Sequence, residues 1–249
     1  MTTQPDIKVF GTHEELFETA AAEFTALANA AVEKNGRFTI ALSGGSTPRG
    51  LYSLLATRGS QIPWKNIYFF FGDERHVPPD HPDSNYKMAQ ESLLSKVPVP
   101  ADHVFRVITE NSNPENASTD YEKKLKEFFE LKDDEFPRFD LILLGMGPDG
   151  HTASLFPGSR ALYERHRVFV ANWVEKFQTY RTTLTLPVLN NAATDMFLVT
   201  GADKTAAVAA VFDDKSQPEY FPAKLVKPTN GRLLWLLDRE AAGNVAAGR

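Results

Sequence analysis

The 249-residue sequence predicts an α/β fold in which a mostly parallel sheet carries helices on both of its faces. Two hydrophobic periods alternate along the chain: short apolar runs typical of buried strands, and longer segments whose apolar residues recur every three or four positions, as in helices. No internal repeat or low-complexity linker interrupts this alternation. We therefore expect a single domain over residues 1–249, with its core between about residues 7 and 240.

Short apolar runs predict the strands, because their length and their aliphatic and aromatic content suit strands that are buried on both faces. In chain order they are Ile7–Phe10, Arg37–Leu42, Ile67–Phe71, Phe139–Leu144, Val168–Ala171, Thr182–Leu186, Met196–Val199 and Arg232–Leu237. Helical segments separate most of these runs, which favours parallel pairing through crossover helices.

Capping residues mark the ends of the predicted helices. Thr12 begins a long first helix as the capping-box partner of Glu15, and Gly36 ends it. A proline at the first helical position predicts a second helix that opens at Thr47–Pro48 and closes at Gly59. Later helices are expected over about Ser84–Ser95, from Asn113–Pro114 onward, and from Asp203 as the cap to Phe212.

The composition argues against several kinds of function. The net charge of −5 disfavours general binding of nucleic acid, and no apolar run approaches the length of a membrane span. A chain without cysteine has no disulfides, thiolate metal sites or cysteine nucleophiles. The N-terminal segment Met1–Asp6 lacks the basic region and apolar core of a signal peptide, so we expect a cytoplasmic protein.

The most informative segment follows the strand Phe139–Leu144. Glycines and a proline within residues 145–150 end the strand, and Asp149 and His151 stand two residues apart at the end of this turn. Ligands of open α/β sheets bind beyond the carboxyl ends of the strands, and histidine is the side chain best suited to proton transfer near neutral pH. The segment predicts a catalytic turn; the plainer interpretation is a glycine-rich turn whose Asp and His bond only to the backbone.

Two further strand-to-helix loops have the chemistry of an anion site. Gly44, Gly45 and Ser46 lie between a strand and a helix start, where free N–H groups and the helix dipole favour a phosphate. The loop lacks the spacing and the lysine of a P-loop, so no nucleotide is implied. Lys204 lies in a similar loop and Arg181 at a strand start; each is a candidate phosphate ligand or a plain surface charge.

Charged residues also follow the third predicted strand. Asp73, Glu74, Arg75 and His76 come almost directly after the aromatic run Tyr68–Phe71. Charges at the end of such a strand are usually paired or functional, although a surface ion cluster is the alternative. Together these loops combine cations that suit a phosphate with an Asp/His turn that suits chemistry on the rest of the ligand.

Ordered sequence blocks carry a resemblance to a known family. They are Ser43–Pro48, Gly72–Pro78 with Asp83–Tyr86, Gly145–Pro157 and Arg181–Thr185. Together they resemble the 6-phosphogluconolactonases, in the superfamily that also contains glucosamine-6-phosphate isomerase (deaminase), over about residues 7–240. The resemblance implies a modified Rossmann-like fold and hydrolysis of 6-phospho-D-glucono-1,5-lactone in the oxidative pentose phosphate pathway. It implies no metal and no organic cofactor.

The resemblance also implies roles for individual residues. We expect His151 to take a proton from the attacking water and to return it to the departing ring oxygen. Asp73 is expected either to steer the imidazole or to hold sugar hydroxyls. Asp149 is expected either to steer the imidazole or to brace the turn. Arg75 is expected to stabilise developing negative charge. The expected ligands of the 6-phosphate are Gly44, Gly45, Ser46, Arg181 and Lys204.

Two alternative functions stay open. The isomerase has a Glu where this chain has Phe156, and an aromatic residue where it has Arg75. Both departures favour the lactonase, because lactone hydrolysis needs one base and a means of stabilising the oxyanion, not proton transfer between two carbons. A non-catalytic sugar-phosphate sensor is the other alternative, although no helix-turn-helix segment or basic patch precedes the fold.

The expected partner is a small sugar-phosphate lactone, with neither nucleic acid nor membrane. A monomer is expected, although the sequence does not itself reveal the oligomeric state.

Overall fold

Two sheets form the framework of the protein. The computed structural model describes residues 4–111 and 113–248, so the first three residues of the N-terminal segment lie outside the described residues. Numbered along the chain, the strands are β1 (Asp6–Phe10), β2 (Phe38–Leu42), β3 (Ile67–Phe71), β4 (Asp73–Arg75), β5 (Leu141–Leu144), β6 (Phe169–Val174), β7 (Thr179–Leu184), β8 (Thr194–Val199) and β9 (Arg232–Asp238).

The larger sheet has six strands in the order β1-β9-β8-β5-β2-β3, and each adjacent pair is parallel. This arrangement confirms the predicted, mostly parallel sheet. Because all six strands point the same way, their carboxyl ends and the loops that follow them lie along one edge. The loops that carry most of the predicted site residues meet at that edge.

The smaller sheet was not predicted. It is antiparallel, with the order β4-β7-β6. Its first strand, β4, consists of charged residues and therefore has the composition of a loop. For this reason the sequence did not predict it as a strand. Gly72 is the single residue between β3 and β4, and it bonds to both sheets: its N–H donates to the carbonyl of Leu42 at 2.9 Å, and its carbonyl accepts from the N–H of Leu184 at 2.8 Å.

Helices cover both faces of the larger sheet, as predicted. They are α1 (His13–Asn35), α2 (Ser46–Leu55), α3 (Asn85–Ser92), α4 (Pro114–Phe128), α5 (Leu186–Leu189), α6 (Thr205–Phe212) and α7 (Arg239–Ala242). Helices α1, α2 and α3 enclose one core with one face of the sheet, and α4, α6 and α7 enclose a second core with the other face. In the described residues, no helix is both long and apolar enough to cross a membrane.

The capping predictions for α1 are confirmed. The Thr12 side chain and Glu15 form the reciprocal capping box, and Gly36 ends the helix in the left-handed conformation, with φ of 73°. Asn113 caps α4 with Pro114 at its start, also as predicted.

The boundaries of two other helices were predicted wrongly. Helix α2 begins at Ser46 after Gly45, so Pro48 is its third residue rather than its first, and the helix ends at Leu55 rather than at Gly59. Asp203 does not cap α6, because it lies in a 3-10 turn and its carboxylate accepts instead from Lys204 Nζ at 2.6 Å. Lys204 is the residue directly before α6.

Candidate functional site

One pocket lies at the carboxyl edge of the parallel sheet, where the loops after β2, β5 and β8 meet β4 and β7 of the smaller sheet. It encloses about 200 Å³. Most of the predicted site residues line it, namely Gly44, Gly45, Ser46, Asp73, Arg75, His151, Arg181 and Lys204. The remaining one, Asp149, contacts the imidazole of His151 without lining the pocket.

Asp149 and His151 form a close pair within the predicted catalytic turn, residues 145–151. The carboxylate oxygen Oδ1 of Asp149 lies 2.5 Å from Nδ1 of His151, and Oδ2 lies 2.9 Å from Nζ of Lys176. Partial burial on its own raises the pKa of Asp149, but the His151 and Lys176 hydrogen bonds and the charge of His151 outweigh it and hold this pKa well below its usual value. Asp149 is therefore an ionised acceptor beside the imidazole.

The imidazole is confined on two sides. Phe156 stacks on His151 with 4.0 Å between ring centroids and 21° between ring planes. On another side, a Cβ atom added at Gly147 would lie 2.1 Å from both Cε1 and Nδ1 of His151. Only glycine fits at position 147 beside this ring, so the glycine-rich sequence of the turn is required by packing as well as by backbone geometry.

Asp73 lies on the other side of the pocket and is buried. Its carboxylate accepts from Ser154 Oγ at 2.7 Å and from Asn85 Nδ2 at 3.2 Å. In the described residues, no hydrogen bond joins Asp73 to His151. Sequence analysis considered both carboxylates as partners of the imidazole, and in the structure Asp149 is the one that contacts it. Asp73 lines the pocket instead, where a ligand can contact it.

Glu74, which sequence analysis did not include in the site, supports the same region from the other face of β4. Its carboxylate accepts from the backbone N–H groups of Asn85 at 2.7 Å and Tyr86 at 2.8 Å, at the start of α3. Burial raises the pKa of Glu74 to about 7, even though these N–H donors favour its charged form. This anchor fixes Asn85 against Asp73 and Gly44. A Cβ atom at Gly44 would lie 1.9 Å from Asn85 Oδ1.

Two guanidinium groups face the pocket from the smaller sheet. Arg75 on β4 is directly paired with Arg181 on β7, and both residues line the pocket. Arg181 lies over the ring of Phe177 at 5.1 Å and over that of Phe156 at 5.8 Å. Burial lowers the pKa of the Arg181 guanidinium. Two cations held this close repel each other, and an anion between them relieves the repulsion.

The anion loop, Ser43–Thr47, completes the pocket on the side of the larger sheet. Gly45 has φ of 107°, a conformation that favours glycine, and it precedes α2 without any side-chain cap on the first N–H groups of that helix. Thr47 Oγ1 lies 2.8 Å from Thr200 Oγ1 and thereby joins this loop to the loop after β8. Lys204 adds a cation from that second loop. Helix N–H groups and an ammonium together suit a phosphate.

Lys176 and Phe177 are contacts of the site that sequence analysis missed. Both belong to the hairpin tip, residues 175–178, between β6 and β7. The segment has no glycine-rich turn or hydrophobic period, and Lys176 is 27 positions from Asp149, so no local pattern signals the contact. Within residues 4–111 and 113–248, no three His, Asp or Glu side chains are grouped closely enough to hold a metal ion.

Comparisons of sequence and of structure with known proteins all lead to the same family. The family model described as "Glucosamine-6-phosphate isomerases/6-phosphogluconolactonase" matches residues 11–235. The 6-phosphogluconolactonase of Nostoc sp. is 44% identical over 216 residues, covering 87% of this chain and 88% of the relative. That of Synechocystis sp. is 41% identical over 241 residues, covering 97% and 98%. The structure of 6-phosphogluconolactonase from Trypanosoma cruzi superposes with a TM-score of 0.88 at 33% identity, covering 98% of both chains.

Proposed function

The chain belongs to the family of glucosamine-6-phosphate isomerases and 6-phosphogluconolactonases, and we propose that it hydrolyses 6-phospho-D-glucono-1,5-lactone to 6-phospho-D-gluconate. The observation that carries this proposal is the Asp149–His151 pair beside a pocket that also presents cations. An ionised carboxylate accepts a hydrogen bond from Nδ1–H, which leaves Nε2 as the basic nitrogen of the ring.

In the proposed mechanism, His151 acts first as a base and then as an acid. Nε2 takes a proton from water while the water oxygen bonds to the lactone carbonyl carbon, whose C=O electrons move onto oxygen. The tetrahedral oxyanion then collapses, the bond to the ring oxygen breaks, and that oxygen takes the proton from the imidazolium. The carboxylic acid product ionises at neutral pH. Asp149 holds the ring throughout and does not need to change its own protonation.

The two sides of the pocket suit the two ends of this substrate. The anion loop with Lys204 and Arg181 suits the 6-phosphate, since it offers helix N–H groups and two cations. Arg75 is assigned to the developing oxyanion and Asp73 to sugar hydroxyls. Binding of the phosphate, which is remote from the reacting carbonyl, orients that carbonyl toward His151. By this assignment, the reaction is the lactone-hydrolysis step of the oxidative pentose phosphate pathway.

Proton release provides the direct test. Freshly made 6-phosphogluconolactone is added to the protein in weak buffer, and acid production is compared with spontaneous hydrolysis in the same buffer. We expect a rate proportional to protein concentration and far above the spontaneous rate. Equal rates with and without protein would contradict the proposed activity and leave a sugar-phosphate sensor as the better interpretation. The cytoplasmic location and the monomeric state stay predictions.

The isomerase alternative has its own test, because Phe156 has no titratable group with which to carry a proton between adjacent carbons. The ring instead packs against the imidazole. We expect no ammonia from glucosamine 6-phosphate even at high protein concentration, although the phosphate loops should still bind that compound weakly. Ammonia release by the unmodified protein would overturn the lactonase assignment.

A further inference from the structure

The hairpin tip reaches the catalytic turn from the smaller sheet. Lys176 Nζ lies 2.9 Å from Asp149 Oδ2, while Oδ1 of the same carboxylate lies 2.5 Å from His151 Nδ1. Asp149 therefore bridges an ammonium and an imidazole, one with each oxygen. Lys176 does not line the pocket, so its effect on the imidazole passes through Asp149.

The hairpin tip is held in shape by bonds of its own. Gln178 adopts a left-handed conformation, with φ of 49°, and its Nε2 donates to the backbone carbonyl of Glu175 at 2.9 Å and to its Oε1 at 2.7 Å. Trp173 Nε1 donates to the other carboxylate oxygen of Glu175 at 2.7 Å. Lys176 is thus presented to Asp149 from a preformed turn.

On the basis of the proposed function, we propose that Lys176 is a positioning residue, which holds Asp149 in the orientation that fixes the His151 imidazole for proton transfer. A carboxylate bonded through one oxygen can still rotate about its Cβ–Cγ bond. A second donor on the other oxygen removes that freedom and favours the ionised form, which alone accepts from Nδ1–H through either oxygen. The imidazole is then held with Nε2 available to the attacking water.

The expected size of the Lys176 effect follows from the solvent exposure of its ion pair with Asp149. The Lys176 side chain is 52% exposed and that of Asp149 26%, so the ion pair is partly screened by water and its contribution is modest. We expect Lys176→Met to lower kcat for 6-phosphogluconolactone by about two- to fivefold with KM nearly unchanged. Lys176→Arg keeps the charge and should restore most of the rate.

The pH profile separates positioning from a purely structural contribution. Without Lys176, the full negative charge of Asp149 acts on the ring and favours the protonated, inactive imidazole. The acidic limb of the kcat/KM profile should therefore move to higher pH by a few tenths of a unit in Lys176→Met. Lys123→Met, which removes an exposed lysine of α4, is the matched control and should move neither kcat nor the profile.

A double-mutant cycle completes the test. In an Asp149→Asn background, Lys176→Met should cause almost no further loss of kcat, because the proposed route through the carboxylate is already absent. Equal losses in both backgrounds, or a raised KM with normal kcat, would show that Lys176 acts elsewhere and would overturn the inference. Absence of lactonase activity in the unmodified protein contradicts the proposed function instead, so the two failures are distinguishable.

Discussion

Arg75 and Arg181 are directly paired residues of adjacent antiparallel strands, β4 and β7. Residues in this relationship project from the same face of a sheet, and like charges placed opposite each other are unfavourable unless a counter-charge lies between them. In this site both guanidinium groups face one pocket. The proposed function assigns one of these groups, Arg181, to the phosphate and the other, Arg75, to the developing oxyanion.

The phosphate assignment predicts a substrate-dependent loss. Arg181→Ala and Lys204→Ala each remove a charge-assisted hydrogen bond, which should cost roughly 1.5–3 kcal/mol in kcat/KM for 6-phosphogluconolactone. Unphosphorylated glucono-1,5-lactone should be a poor substrate for the native protein, and the same variants should harm its hydrolysis far less. Equal losses with both lactones would mean that these side chains support the fold or the reacting centre instead.

The proposed base predicts a loss confined to the chemical step. His151→Asn retains some hydrogen-bonding capacity but cannot accept a proton at neutral pH, so kcat should fall by about a hundredfold or more while KM changes little. Steady-state kinetics with the spontaneous rate subtracted provide the measurement. A near-normal kcat would remove His151 from the mechanism and make Asp73 or Asp149 the alternative base.

The packing around the imidazole predicts that one methyl group is enough to damage the site. In Gly147→Ala, the added Cβ would overlap the His151 ring, so we expect the ring to be displaced and kcat to fall by at least about tenfold.

Gly50→Ala is the matched control for this variant. Its Cβ would lie 2.4 Å from the ring of Phe17, so it also overfills a contact with an aromatic ring, but away from the pocket. It should lower the melting temperature and leave the kcat of the folded enzyme unchanged. A Gly147→Ala protein with normal kcat would show that the turn adjusts without moving the imidazole.

A buried carboxyl group in β8 predicts a pH-dependent stability. Asp195 is fully buried, and among the residues that the structure describes neither of its carboxylate oxygens has a hydrogen-bond partner, so burial raises its pKa well above the usual value. Above about pH 4 the unfolded chain releases this proton while the folded protein retains it. The free energy of unfolding therefore decreases as pH rises, until the pKa of the folded state is passed.

Asp195→Asn removes the titrating group and should flatten that dependence. Urea unfolding from pH 5 to 9 should show the stability of the variant, relative to the native protein, increasing with pH. The exposed Asp133→Asn serves as the control and should leave the dependence as it is. Parallel curves for Asp195→Asn and the native protein would mean that Asp195 titrates alike in both states.

Several of the residues that sequence analysis placed in the site lie where glycines follow a buried strand. Asp149, His151 and the anion loop belong to this class, because local chain geometry and local chemistry coincide there. Strand β4 was missed because its pairing with β7 spans more than a hundred positions and its charged residues have no strand period. The Lys176 contact depends in the same way on tertiary packing. Asp203 was misassigned because its carboxylate pairs with Lys204 rather than with the backbone.

The single residue Gly72 between the two sheets has a consequence for substrate selection. His151, Lys204 and the anion loop rest on the parallel sheet, whereas Asp73 and both arginines rest on the antiparallel one. The distance between the anion loop and Arg75, which the proposed function assigns to the phosphate and to the oxyanion, therefore depends on the angle at which the sheets meet. Under that assignment, we expect the spacing of the two sheets, as well as individual side chains, to disfavour a ligand that is one carbon longer or shorter.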